Sequence, residues 1–215
     1  MSEKLYIVIP AYNEEENIRK VIDDWYPVVS DKGPDSRLVI VNDGSTDSTY
    51  DVIKECAGSK EQLVPLTKDN SGHGPTIVCG YEYALREGAD YVFQTDSDGQ
   101  TIPSEFDSFW RGRFDYDMLI GYRNRREDGF MRVMVTKVLK LVIKLCFNLN
   151  VTDANTPYRL MRAGALREEI KHVPKDFFLS NVLLTVLFTK HDRRIKYIPI
   201  TFRPRQGGSN SINIK

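Results

Sequence analysis

A segment near the middle of the chain, Asp96-Ser97-Asp98-Gly99-Gln100, has the residue types and the spacing of a divalent metal site. It follows residues 89–93, whose length and β-rich makeup predict a buried strand. Two carboxylates at the end of such a strand repel each other and are costly to ionise unless a cation lies between them. Mg²⁺ and Mn²⁺ prefer oxygen ligands and commonly bind a few protein oxygens together with substrate phosphates. Asp96, Asp98 and Gln100 are therefore the candidate ligands, although the same pattern also occurs in ordinary turns.

The elements that must position this segment form a repeating pattern. Strands are predicted over residues 5–9, 38–41, 62–66 and 89–93, and helices over residues 13–29 with Asn13 as the cap, about 46–56, and 75–87. Because strand and helix alternate, we predict an α/β fold with a mostly parallel central sheet and helices on both faces. The second half is less regular, with strands predicted over 118–121 and 194–200 and helices over 131–148 and 176–189.

Polar clusters follow each of the first four predicted strands, at residues 10–14, 42–45, 70–74 and 96–100. The carboxyl ends of strands in an open α/β sheet are where ligands bind. The groups suit a nucleotide with a diphosphate: Tyr12 can stack on a base, Glu14 can accept a ribose hydroxyl, and Asp43 can accept from the base or the ribose. Ordinary turns need not be so polar four times at one edge, so this edge is the predicted site.

The loop at residues 69–74 is rich in glycine. Gly72 and Gly74 permit close approach of a ligand to the backbone, and the helix that follows offers free N–H groups to an anion. His73 can hydrogen-bond a phosphate or a ribose. A Gly-His-Gly sequence is also common in ordinary turns, so this loop alone does not define a phosphate site.

Composition limits the class of protein. The 215 residues suffice for one sizeable core, and 30 basic residues balance 30 acidic ones, which argues against nucleic acid as a partner. The basic residues are concentrated locally, with nine Lys and Arg against four acids between residues 111 and 144. Three scattered cysteines are typical of buried thiols in a reducing compartment. With no signal peptide and no 18-residue apolar span, we expect a cytoplasmic protein.

Three motifs taken together carry a family resemblance. Residues 8–15 (VIPAYNEE), 41–47 (VNDGSTD) and 96–100 (DSDGQ) resemble the family 2 glycosyltransferases of the GT-A fold. Within that family the chain looks most like the polyprenyl-phosphate (dolichyl-phosphate) glycosyltransferases. The resemblance implies a single GT-A domain over residues 1–215, with a nucleotide-sugar-binding half (1–100), an acceptor half (101–202) and a mobile tail (203–215).

The same resemblance implies roles for the donor side. Asp43 would read the base of a nucleoside diphosphate sugar, for which UDP is favoured over GDP, and Asp96, Asp98 and Gln100 would hold Mg²⁺ or Mn²⁺ on the diphosphate. Transfer would invert the anomeric carbon. The implied nucleotide-sugar-binding residues are Pro10, Ala11, Tyr12, Glu14, Asp43, Gly72, His73, Gly74, Asp96 and Ser97.

On the acceptor side the resemblance implies that Arg123, Arg132 and Arg205 grip the phosphate of a polyprenyl phosphate, because Arg forks match phosphate. The implied catalytic residues are Asp96, Asp98, Arg123 and Arg132. A phosphate monoester is already an anionic nucleophile, so no strong general base is required. The helix over 131–148 combines a broad apolar face with a basic stripe, which suits either a helix in the membrane interface or one packed on the sheet. We therefore expect a peripheral protein on the cytoplasmic face of the membrane, with a homo-oligomer allowed.

Alternatives to a lipid phosphate acceptor stay open. Pro157-Tyr158 stands where the family has Gly-Phe, and Asn181 stands where relatives often carry Glu, so the acceptor is less well defined than the donor. A glycan or other hydroxyl acceptor would need a base, for which Asp128 and Asp153 are candidates. A nucleotide-sugar-binding module without turnover is the alternative from another class.

Overall fold

A single mixed sheet organises the chain. The computed structural model describes residues 3–123, 130–149 and 151–204, with side chains throughout these ranges except at 123, 130–137 and 142. The strands are β1 (Leu5–Ala11), β2 (Arg37–Asp43), β3 (Leu63–Lys68), β4 (Tyr91–Gln94), β5 (Met118–Arg123), β6 (Arg159–Arg162) and β7 (Ile195–Ile200). The helices are α1 (Ile18–Asp31), α2 (Thr49–Ala57), α3 (His73–Arg86), α4 (Phe106–Gly112), α5 (Phe130–Phe147), α6 (Ala163–Glu169) and α7 (Ser180–Lys190).

The sheet order is β3-β2-β1-β4-β6-β5-β7. Four pairings are parallel, which confirms the predicted mostly parallel sheet. β6 runs antiparallel to both β4 and β5. The sequence did not predict this strand, because its four residues carry Arg at both ends and show neither a long apolar run nor clean alternation.

Helices cover both faces of the sheet, as predicted. Alternate residues of β1 supply opposite faces: Ile7 and Ile9 belong to the core beneath α1, α2 and α4, whereas Val8 belongs to the core beneath α3, α6 and α7. All seven residues of β1 are buried. A strand buried on both faces has room for polar side chains only where it ends, so the core itself directs polar residues to the sheet edges.

Several boundaries differ from the predictions. Asn13 does not cap a helix: it has φ 53°, and α1 begins at Ile18 after a turn. α7 begins at Ser180 rather than near 176, and the short helices α4 and α6 were not predicted. Cys56 is buried, but Cys146 is exposed, contrary to the expectation of buried thiols. Among the described helices, none has the length and apolar character needed to cross a bilayer.

A matched pair of glycines tests the packing of α3 on β1 and β2. A Cβ at Gly80 would overlap the Val8 side chain and press on Val41, whereas a Cβ at Gly164 in α6 would meet open space. We expect Gly80→Ala to lower the free energy of unfolding by about 1–2 kcal/mol, because overpacking outweighs the gain in helix propensity. Gly164→Ala should leave it unchanged or raise it by up to about 1 kcal/mol. Urea denaturation measures both, and a stabilised Gly80→Ala variant would contradict this account of the interface.

Candidate active site

The predicted polar clusters meet at one edge of the sheet. β2, β1 and β4 are parallel neighbours, and the clusters after Ala11, Asp43 and Gln94 extend directly from their carboxyl ends. The glycine-rich segment follows β3 and leads into α3. The strand order therefore brings the predicted polar clusters to one edge, where the sequence places the candidate site.

The first two motifs interlock through hydrogen bonds between their loops. The Asn13 N–H donates to Ser45 Oγ at 3.0 Å, and the Thr46 N–H donates back to Asn13 Oδ1 at 2.9 Å. The Ser48 N–H donates to Glu15 Oε2 at 2.9 Å. Much of the polar character of these motifs thus fixes loop geometry, which is a role that spacing alone could not separate from ligand binding.

The first motif divides into exposed and buried residues. Pro10 and Ala11 close β1 and are buried, whereas Tyr12 is 40% exposed at the edge, where a base could stack on its ring. Glu14 is 7% exposed, and its Oε2 accepts a hydrogen bond from Asn17 Nδ2 at 2.8 Å. Glu14 therefore takes part in the turn before α1, and the predicted ribose contact of its carboxylate remains a prediction.

Asp43 organises the glycine-rich loop. It is 4% exposed, and its two oxygens accept from the N–H groups of Ser71 at 3.0 Å and Gly72 at 2.9 Å. Lys68 forms an ion pair with the same carboxylate and also donates to the Asp69 carbonyl at 2.8 Å. Burial alone would raise the pKa of Asp43, but the hydrogen bonds from Lys68 and Ser71 outweigh it and hold the pKa below its usual value.

Lys68 was not among the predicted site residues. Its side chain ties Asp43 to the loop and also donates to Ser71 Oγ at 2.5 Å. The available signal was its position at the carboxyl end of β3, immediately before the glycine-rich segment. The predicted contact of Asp43 with a base would therefore have to form while the same carboxylate also binds Lys68 and two backbone N–H groups.

The glycine-rich loop connects to the aspartate segment through His73. Gly72 has φ 92°, which favours glycine, and α3 begins at the next residue. His73 Nε2 lies 3.1 Å from Asp96 Oδ1. Burial lowers the pKa of His73, but the charge of Asp96 outweighs it, so the net shift is upward. A Cβ at Gly74 would overlap the carbonyl oxygens of Phe177 and Phe178, so the first turn of α3 touches the segment before α7.

The aspartate segment supplies part of the set of oxygen ligands that Mg²⁺ or Mn²⁺ would need. The side chain of Asp96 is 27% exposed, and Asp98 Oδ1 accepts the Gln100 N–H at 3.0 Å. Gln100 Nε2 donates to the Arg203 carbonyl at 3.1 Å, which ties the start of the predicted mobile tail to the site. Among the described residues no three His, Cys, Asp or Glu side chains converge. Two carboxylates with a substrate diphosphate nevertheless fit the usual manner of Mg²⁺ binding.

Only some of the residues predicted for the acceptor side lie in the described part of the chain. Arg123 is the last residue of β5 and Arg132 lies in α5, while Arg205 and Asp128 lie outside the described residues. Asp153, the other candidate base, is 9% exposed in the loop before β6. The structure also places an unpredicted cation here: Arg159, at the start of β6, is completely buried.

The pH dependence of stability tests the Asp43 cluster. Because folding lowers the pKa of Asp43, its stabilising effect is present above the unfolded pKa of about 4 and is lost as the pH falls through the folded value. We expect Asp43→Asn to reduce the free energy of unfolding at neutral pH by about 1–3 kcal/mol, with a difference that shrinks as the pH falls. Denaturation of both proteins from pH 7 to about pH 3 measures this. A constant difference over that range would contradict it.

Comparison with known proteins supports the same fold and class. The family model "Glycosyl transferase family 2" matches residues 6–170. The chain is 27% identical over 220 residues to an undecaprenyl-phosphate mannosyltransferase of Micrococcus luteus, covering 98% of this chain and 88% of that protein. It is 24% identical over 224 residues to a polyprenol monophosphomannose synthase of Mycolicibacterium smegmatis, covering 99% and 82%.

Solved structures agree in fold. Glucosyl-3-phosphoglycerate synthase from Mycobacterium tuberculosis, in complex with Mn²⁺ and UDP-glucose, has a TM-score of 0.68 at 20% identity, covering 96% of this chain and 72% of that one. S. aureus TarS 1-349 has a TM-score of 0.63 at 18% identity, covering 92% and 60%. The predicted GT-A fold is confirmed. Together with its sheet order and its edge site, the family match shows that this chain belongs to glycosyl transferase family 2 and is a glycosyltransferase.

Proposed function

We propose that this glycosyltransferase transfers a sugar from a nucleoside diphosphate sugar to a polyprenyl phosphate. One observation carries the proposal: β4 leads into Asp96 and Asp98 at the same sheet edge where β5 ends at Arg123, with only β6 between them. A site for a diphosphate and a site for an anionic acceptor can therefore lie side by side. The names of the two similar transferases, which specify undecaprenyl-phosphate and polyprenol substrates, support this acceptor class.

The donor side suits a nucleotide. The exposed ring of Tyr12 is available for base stacking, and the start of α3, at His73 and Gly74, offers a helix N-terminus to the diphosphate. We favour UDP over GDP as the nucleotide of the donor. Asp96 and Asp98, with Gln100, would hold Mg²⁺ or Mn²⁺ together with the diphosphate. The metal would supply Lewis-acid stabilisation of the charge on the leaving group.

The acceptor side needs no strong base. A phosphate monoester carries its own negative charge, so binding and in-line orientation are the main tasks of the protein. Arg123, Arg132 and Arg205 remain the proposed phosphate ligands. The competing acceptor class, a hydroxyl, would require Asp153 or Asp128 to accept a proton.

We further propose that α5 rests on a membrane surface. Its inner face packs on α7, where Ile143 lies with Val182 and Val186. Its outer face exposes a stripe of apolar side chains, with Leu141 55% and Leu145 75% exposed. The exposed residues Lys140 and Lys144 border this stripe. An apolar stripe beside cations is typical of helices that lie in the interface of anionic bilayers.

The aspartate segment provides the first test. Asp98→Ala should reduce transfer of sugar from a UDP-sugar to an organic-extractable polyprenyl phosphate product by at least about 100-fold, because several kcal/mol of charge stabilisation would be lost. The thermal unfolding temperature should be retained. Asp35→Ala, which removes an exposed carboxylate before β2 at the opposite sheet edge, is the matched control and should keep full activity.

Two results would contradict the proposal. Near-normal turnover by Asp98→Ala would remove this carboxylate from the reaction. Efficient transfer to a glycan hydroxyl by the wild-type protein, with none to polyprenyl phosphate, would show that the acceptor is a hydroxyl. Asp153 would then be the candidate base.

The outer face of α5 provides the second test. The double variant Leu141→Ser, Leu145→Ser should bind phosphatidylglycerol vesicles at least about tenfold more weakly in sedimentation, because two apolar side chains no longer enter the bilayer. Phe114→Ser is the control: this side chain is 56% exposed but follows α4 at the opposite sheet edge. Equal binding by the double variant and the wild-type protein would show that α5 does not contact the membrane.

A further inference from the structure

A buried cation lies behind the site. Arg159 has no exposed surface, and its guanidinium makes five hydrogen bonds to uncharged oxygens. Nε and Nη2 donate to the Thr156 carbonyl at 3.1 and 2.8 Å, and Nη2 donates to the Ala154 carbonyl at 3.1 Å. Nη1 donates to the Asn181 carbonyl at 3.0 Å and to Thr185 Oγ1 at 3.3 Å. All five N–H groups are thus used on neutral partners, and the positive charge remains available to act on its surroundings.

The position of this charge is set by the sheet. Arg159 pairs with Gln94 on β4 and with Ile120 on β5. Gln94 is two residues before Asp96, and Ile120 is three residues before Arg123. The cation therefore lies between the strand that carries the proposed metal ligands and the strand that carries the proposed acceptor arginine.

An unpartnered amide lies on the adjacent helix. Asn181, in the first turn of α7, is 3% exposed, and within the described part of the chain neither Nδ2 nor Oδ1 has a hydrogen-bond partner. Its own carbonyl is held by Arg159 and by Thr185 Oγ1. Native proteins rarely leave both polar atoms of a buried amide unpaired, because each costs about 1–3 kcal/mol. An amide retained under this penalty, next to the active edge, indicates a partner that arrives with substrate.

We propose that Asn181 contacts the phosphate group of the acceptor, in the positive field of Arg159. Nδ2 can donate to a phosphate oxygen, and the amino end of α7, a helix of 11 residues, adds a favourable dipole for an anion. A carboxylate here would pair with Arg159 and repel the phosphate, whereas an amide leaves the charge of Arg159 to the substrate. The inference rests on the proposed function, because it presumes an acceptor that carries a phosphate monoester.

Asn181 is 3% exposed, so contact with a ligand requires the neighbouring chain to shift, and the segment over residues 175–179 lies close before it in the sequence. The carbonyls of Phe177 and Phe178 in this segment lie against Gly74, next to His73 and thus to Asp96. The segment is therefore in a position to respond to ligands on the donor side as well.

The experiment measures acceptor binding separately from catalysis. Calorimetry with farnesyl phosphate, in the presence of UDP and Mn²⁺, compares the wild-type protein with Asn181→Leu, Asn181→Asp and Thr189→Val. Asn181→Leu should bind about 5–10-fold more weakly, through loss of one hydrogen bond, and Asn181→Asp more than about tenfold more weakly, because a negative charge is added. Thr189→Val, two turns further along α7, is the matched control and should bind as the wild type does. Inorganic phosphate in a parallel titration distinguishes recognition of the phosphate group from recognition of the lipid.

The outcomes separate this inference from the proposed function. Wild-type affinity for farnesyl phosphate in both Asn181 variants would overturn the proposed phosphate contact. A buried water would then be the remaining candidate partner of the amide. Equal weakening in Thr189→Val would also overturn it, since the effect would then be one of helix packing. If the wild-type protein binds farnesyl phosphate through Asn181 but transfers no sugar to it, the proposed transfer fails while the phosphate contact holds.

Discussion

The burial of β1, β2 and β4 on both faces is the constraint on which the site depends. These strands are apolar in their interiors and carry polar side chains where they end, and parallel neighbours end at the same edge. The glycine-rich loop, the exposed ring of Tyr12 and the two aspartates are therefore brought together by the requirements of the core. The chemistry of the edge then follows from the residue types that occupy it. For Asp96 and Asp98 these are carboxylate oxygens, the ligand type that Mg²⁺ prefers in proteins.

The first half of the fold could be predicted because its signals are local. Apolar runs mark β1, β2 and β4, and each is followed by a polar cluster, so spacing alone predicted that these clusters meet at one edge of the sheet. β6 could not be predicted in this way. It is short, it bears Arg159 and Arg162, and its antiparallel partners are distant in sequence. Its existence is decided by tertiary pairing, which a single sequence does not encode in its periodicity.

Side-chain partners were the least predictable feature. Asp43 was expected to face a base, and in the structure its carboxylate also holds Lys68 and two loop N–H groups. Glu14 and Asn13 likewise serve the turns around them. Residue type and position predict that a polar group will lie at the edge, but the competition among local donors decides where it points. The buried environment of Arg159 was equally unpredictable, because its four acceptor atoms come from the loop before β6 and from the distant helix α7.

The absence of a side chain at Gly74 has a consequence for the contact between α3 and the segment before α7. This residue lets the start of α3 touch the carbonyls of Phe177 and Phe178, so that the end of the glycine-rich loop and the segment before α7 are in direct contact. A larger residue at position 74 would push the two segments apart, so their contact depends on this position having no side chain.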